Sequence, residues 1–149
     1  MQQMQITFLG TGTSHGIPVI GCACQVCKSA DPRDKRLRTS IRVETPGFSL
    51  IVDTTPDFRT QCLREEICRV DAVLYTHAHV DHILGFDDLR RFCELESKNM
   101  PILGSPQTLE SLARVFQYAF DGSVRFPNYI RPDPQPVNGP FTLGGLDIV

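Results

Sequence analysis

Three imidazoles and a carboxylate fall within six consecutive positions at His77, His79, Asp81 and His82, directly behind the short apolar run 72–75. Imidazole nitrogen and carboxylate oxygen are donors for divalent cations such as zinc, manganese or iron. In extended chain the side chains repeat every two residues, so His77 and His79 project to one side and can reach one ion. Asp81 and His82 fall where the chain turns and can face a second. Two divalent ions roughly 3.5–4 Å apart share a hydroxide that forms near neutral pH and clamp the attacking and leaving oxygens of a displacement, so hydrolysis is the chemistry this spacing suits. The plainer alternative is that these polar residues cap a helix starting near Ile83.

A second cluster, Cys22, Cys24 and Cys27, puts three thiols into six positions of a loop and suits three corners of a tetrahedral structural zinc. Redox or packing roles are the competing reading. Cys62, Cys68 and Cys93 sit in apolar or helical patterns and read as inert small hydrophobes.

The elements that must position these residues alternate between strand and helix, giving an α/β fold class. A first strand covers Gln5 to Leu9 and runs into a long glycine- and cysteine-rich loop that a metal would have to organise. Ser40 to Glu44 and Ser49 to Val52 form a hairpin about the Pro46-Gly47 turn signal. A helix opens at Thr55-Pro56-Asp57 and runs through Glu65. Ala72 to Tyr75 is a short buried strand that delivers the histidine loop. Asp87 to Glu96 reads as a helix, Ile102-Leu103 as a strand, and Ser105-Pro106 as the N-cap and first-turn proline of a helix through Ala119. Beyond Asp121 the proline-rich stretches Phe126-Pro127-Asn128 and Pro132–Pro136 read as a connecting segment or lid edge.

His77-x-His79-x-Asp81-His82 resembles the HxHxDH motif of the metallo-β-lactamase superfamily. Ile6 to Ser14 resembles the opening strand and glycine turn of its phosphodiesterase and transfer-RNA 3′-processing branches, and Ser49 to Thr54 resembles its strand ending in an acidic residue. The run Gly10 to Gly16, followed by Ile17 to Cys24 and then Cys27, is similar to cyclic phosphodiesterases of the carbon–phosphorus lyase pathway. The resemblance implies a four-layer αββα sandwich, with residues 1–149 as a single domain holding its first sheet and cut short on the C-terminal side. It further implies two divalent ions, zinc or manganese, at His77, His79, Asp81 and His82, with Asp81 also placed as catalytic. One structural zinc is implied at Cys22, Cys24 and Cys27. Asp53 is expected to buttress the loop rather than bind metal. Such enzymes take further ligands from downstream histidines and a bridging aspartate, whereas the last histidine here is His82 and Asp147 does not match the bridge. The expectation is therefore an N-terminal part of a longer protein, inactive alone, or one whose site a second polypeptide completes.

Composition sets the remaining bounds. A hydrophobic content of 41% in 149 residues suffices for one modest core. No apolar run approaches a membrane span and Met1 to Gln5 lacks the features of a signal peptide, so no membrane is expected and the cytoplasm is the expected compartment. Clustered cysteines suit a reducing compartment and a metal rather than a disulfide frame. A formal charge of −2 gives no general pull toward nucleic acid; the resemblance implies a small phosphate diester as substrate, with nucleic acid the second candidate. Phosphate-diester hydrolysis leads, with transfer-RNA 3′ processing and a non-catalytic metal-binding module as alternatives; a homodimer is compatible with all three. Lys28, Arg33, Lys35, Arg36 and Arg38 form a basic run that reads either as a solvated face or as a contact for phosphate.

Overall fold

The structure, a computed structural model, describes residues 3–122 and 128–149. Its main sheet holds six strands in sequence order: β1 (Gln5–Gly10), β2 (Ser40–Thr45), β3 (Phe48–Val52), β4 (Ala72–Leu74), β5 (Met100–Gly104) and β6 (Pro132–Pro136). β1 to β3 pair antiparallel, and β3 to β6 pair parallel. The hairpin pairs Thr45 with Phe48 across Pro46-Gly47, with Gly47 at φ 83°. The bounds of β1 to β5 lie within two residues of the sequence reading.

The helices are α1 (Gln25–Lys28), α2 (Phe58–Arg64), α3 (Val80–Ile83), α4 (Arg90–Glu96), α5 (Pro106–Val115) and α6 (Gln117–Phe120). Parallel strands are added in one direction from β3 to β6, and right-handed crossovers then put the connecting helices on one face. That face carries the main core, in which Leu9, Ile51, Val73 and Ile102 of the sheet meet Phe58, Phe92 and Leu112 of the helices. The helix expected from Asp87 opens as a 3₁₀ turn, Phe86–Leu89, before α4. The helix expected to reach Ala119 breaks at Phe116, where the chain turns that ring onto Phe86 with centroids 4.5 Å apart and α6 begins.

The proline-rich tail differs most from expectation. Pro132–Pro136 is an edge strand, not a connector, because its prolines occupy alternate positions. The Arg131 carbonyl and Val137 amide bond β5, so residues of odd number face the ladder and the three proline nitrogens face away from it. Phe126-Pro127 lies outside the described residues. The last stretch forms a separate hairpin, β7 (Phe141–Leu143) and β8 (Leu146–Ile148). It turns at Gly144-Gly145 with φ of 57° and 78°, the double positive φ that a tight two-residue turn requires. A Cβ at Gly144 would enter the Phe48 ring. The hairpin covers part of the second sheet face, where Phe141, Leu143 and Leu146 join Leu50, Ala72 and Leu103. On the same face, Ile6 and Phe8 of β1 stay 48% and 67% exposed, so that apolar surface is only partly covered.

Candidate metal centre

The histidine loop leaves the C-terminal end of β4 beside the C-terminal end of β3, and Asp53 joins the two. Its backbone sits in the left-handed region at φ 62°, which costs a residue with a side chain about 1–3 kcal/mol. Contacts on both sides hold it there: the Asp53 amide donates to the Leu74 carbonyl at 3.0 Å, and its carbonyl accepts from Ser40 Oγ at 2.9 Å. Asp53 is 3% exposed and its carboxylate is fully engaged. Oδ1 accepts the Thr76 amide at 2.9 Å, while Oδ2 accepts Thr76 Oγ1 at 2.7 Å and lies 2.7 Å from His82 Nδ1.

These bonds dictate which ring nitrogens remain available. Against a carboxylate, His82 Nδ1 carries a proton, so in the neutral ring Nε2 holds the lone pair; it lies 3.3 Å from Asp81 Oδ2. Thr76 has one hydroxyl hydrogen and gives it to Asp53, so towards His77 Nδ1, 3.0 Å away, it can only accept. His77 therefore also presents Nε2, which meets His79 Nδ1 at 3.1 Å. The rings of His77 and His82 adjoin, with centroids 4.1 Å apart. Asp81 and His82 lie inside α3, one turn earlier than the expected helix start. His79 is its N-cap but makes no side-chain capping bond, which removes the support for a plain capping role.

The four side chains thus form two donor pairs, His77 with His79 and Asp81 with His82. Two ligands of a tetrahedral ion at about 2.0–2.1 Å lie roughly 3.3 Å apart, so separations of 3.1 and 3.3 Å suit one ion per pair. Beside the first pair, His77, Ala78 and His79 share a cleft of ≈ 340 Å³ with Gln107, Thr108 and Ser111 of α5. Ser105 caps α5 by accepting the Thr108 amide at 3.2 Å, as its sequence position predicts. Thr76, Ser40 and the α5 residues were not singled out by sequence. Thr76 adjoins the motif, but the others reach the site only through sheet order and carried no local signal.

Cys22, Cys24 and Cys27 also converge. Among the described residues they alone bring three ligand atoms within 4.8 Å of one another. The Val19 amide donates to Cys27 Sγ at 3.4 Å and the Cys27 amide to Cys24 Sγ at 3.5 Å. The Cys27 amide, with the Cys22 and Cys27 thiols, lowers the Cys24 thiol to about 7. Cys27 gains from the Val19 amide but is raised on balance by the adjacent Cys22 and Cys24 sulfurs. Donor type, spacing and a lowered thiol fit a tetrahedral zinc on three corners. Burial pushes Cys62 up to about 12, and Cys93 is fully buried, in keeping with inert packing; Cys68 is exposed.

The β-lactamase superfamily domain profile matches residues 49–149, the stretch from β3 through the histidine loop to β8. The chain belongs to the metallo-β-lactamase superfamily. A crystal structure of a diphosphatase from the PhnP family superposes with a TM-score of 0.86 at 40% identity, over 97% of this chain and 55% of that one. The zinc-bound PqqB of Methylobacterium extorquens shares the fold, with a TM-score of 0.70 at 23% identity over 93% of this chain and 48% of its own. An octanoyltransferase of Porphyromonas gingivalis is 42% identical over 118 residues, 78% of this chain but 24% of that protein. The chain therefore spans about half the length of these two structures and 24% of that relative. Among the described residues no helix is long and apolar enough to cross a membrane.

Proposed function

We propose that this chain carries the metal-binding loop of a hydrolase that cleaves phosphate esters, with a small cyclic phosphate diester as substrate. The observation behind this reading is the Asp53 carboxylate, which fixes Thr76 and His82 and, through Thr76, orients His77, so that two donor pairs open on one rim of the sheet. The 40% identity to a PhnP-family diphosphatase supports phosphorus as the reacting centre.

His77 and His79 would hold one divalent ion and Asp81 with His82 a second, zinc or manganese; remaining positions fall to water, substrate or further chain. When bound, such ions activate water and offset negative charge on phosphoryl oxygens. Asp53 sets the His82 tautomer by holding its Nδ1 proton, and Thr76 does the same for His77. The α5 cleft borders the first pair and offers Gln107 and Ser111 as hydrogen-bonding groups for a substrate oxygen. Cys22, Cys24 and Cys27 would bind one structural zinc that shapes the loop between β1 and β2. This reading places the residues in one domain in the cytoplasm, with no membrane partner.

The test measures metal content by mass spectrometry beside hydrolysis of bis-para-nitrophenyl phosphate and of a sugar 1,2-cyclic phosphate, in this chain and in the gene extended downstream. His77→Ala and Asp81→Ala should each abolish turnover in the active form while leaving the circular dichroism spectrum intact. Turnover of a diphosphate but not of either diester would transfer the assignment to phosphoanhydride cleavage. Full metal loading without hydrolysis of any of the three would overturn it.

A further inference from the structure

The basic run noted in the sequence folds into a concave surface well away from the histidine loop. A cavity of ≈ 340 Å³ lies between the end of β1 and residues 32–37, lined by Leu9, Gly10, Thr11, Arg33, Lys35, Arg36 and Arg64 among others, with no acidic side chain in its wall. β1 is separated from β4 by two strands, so at about 4.8 Å per strand the cavity is on the order of 14 Å from the metal loop, along the same rim. No residue is common to the two.

The four cations are held in place but only half neutralised. Arg33 pairs with Asp31 and Arg64 with Glu65, while Arg64 also donates to the Leu9 carbonyl. Lys35 reaches only the Ser29 carbonyl, and Arg36 gives only its Nε proton, to the Arg33 carbonyl. Among the described residues neither Lys35 nor Arg36 has a carboxylate partner, and the two terminal guanidinium nitrogens of Arg36 make no hydrogen bond. That leaves two positive charges and a planar fork of donors facing a cavity larger than a phosphate group needs. A guanidinium fork beside an ammonium is a donor set for a tetrahedral dianion.

We infer that this cavity is a phosphate-binding site for a small phosphomonoester or inorganic phosphate, separate from the metal centre. It does not depend on the hydrolase reading. The site prefers the dianion, because two uncompensated cations line it, so affinity rises as pH passes the ligand's second pKa, about 6 for a phosphomonoester.

Titration calorimetry with inorganic phosphate and ribose 5-phosphate, on protein supplied with a single equivalent of zinc for the cysteine loop and held at fixed ionic strength, tests this. Wild type should bind one equivalent, the double variant Lys35→Gln/Arg36→Gln should lose at least about tenfold in affinity, and His77→Ala should bind as wild type. Both exchanged side chains are exposed, and a matching thermal melt confirms that the variant folds. Absence of binding, equal binding by the double variant, or loss in His77→Ala would overturn the site. A ten-residue oligonucleotide and anionic phosphatidylglycerol vesicles serve as further arms; tighter binding of either than of ribose 5-phosphate would overturn the small-ligand assignment.

Discussion

The histidine loop is suspended from a buried carboxylate between two central strands, whereas no side chain from residue 17 to residue 39 is buried. In the first, Asp53, Thr76 and Ser40 fix the donors through bonds that exist without any ion. In the second, backbone pairs such as Ile17 with Arg36 tie down the ends, and the stretch between holds itself by amide–sulfur contacts of 3.4 and 3.5 Å, with Ile20 99% exposed. The difference teaches that an ion would meet donors already placed at the first loop and would have to organise the second itself. A site meant to exchange substrate benefits from donors positioned in advance. A structural ion instead supplies the folding energy that its loop lacks.

Removing the suspension point should have the largest effect. Asp53→Ala strands the Thr76 amide and hydroxyl and frees the His82 ring, costing about 3 kcal/mol of stability and roughly 10–100-fold in metal affinity at the histidine loop. Asp53→Asn tolerates the left-handed backbone and keeps one acceptor for the Thr76 amide, so it should unfold less but lose metal to a similar degree. Chemical denaturation and metal titration of both variants check this. If Asp53→Ala bound metal like wild type, the loop would not be pre-built.

The next effect separates the two loops directly. Chelation should raise amide hydrogen exchange across residues 19–28 strongly and across 76–82 much less, because Asp53 retains its bonds without an ion. Equal protection of both loops before and after chelation would erase the contrast.

Legibility in the sequence followed the same division. Strand alternation, the Pro46-Gly47 turn and the Ser105 cap are local signals, and β2, β3 and the start of α5 stand where they point. The six consecutive positions from His77 to His82 stand out in the sequence because their candidate donors share one turn. Ser40, Gln107 and Ser111 were silent: they adjoin the loop only because β2, β3, β4 and α5 come together in three dimensions. The β6 strand was misread for a related reason. Three prolines in five residues argue against a central strand, and only its place at the sheet edge, with every proline nitrogen turned outward, makes it permissible.

A smaller effect tests the cysteine loop without metal. Cys24 is lowered to about 7 in the folded chain from an ordinary 9.0, so its thiolate favours the folded state at high pH, and that contribution is lost as pH falls through about 7. Cys27 is raised and contributes with the opposite sign, so net stability is a poor reporter. Reactivity is a better one. Iodoacetamide at pH 7.5, followed by peptide mass spectrometry of chelator-treated protein, should modify Cys24 first, Cys27 later and Cys62 last. Addition of zinc should protect Cys24; unchanged labelling with zinc would remove it from the proposed ligand set.

The smallest predicted loss is also the sharpest probe of how the histidine loop is wired. Thr76→Val removes one hydroxyl and nothing else of size, leaving Asp53 with the Thr76 amide and His82 as partners. Stability should fall by about 1 kcal/mol, the net worth of one such bond. The hydroxyl, however, also forces the proton of His77 onto Nδ1. Without it His77 can exchange tautomers and spends part of its time with Nε2 protonated and unable to bind metal. His82, held by Asp53 itself, keeps its tautomer. Nitrogen-15 shifts of the two imidazoles in the metal-free variant should therefore diverge, His77 moving toward the average of its tautomers and His82 staying fixed. Thr76→Ser should restore the His77 shift and leave His82 as it was. Identical behaviour of the two rings would mean that Asp53, not the Asp53–Thr76 relay, orients the whole loop.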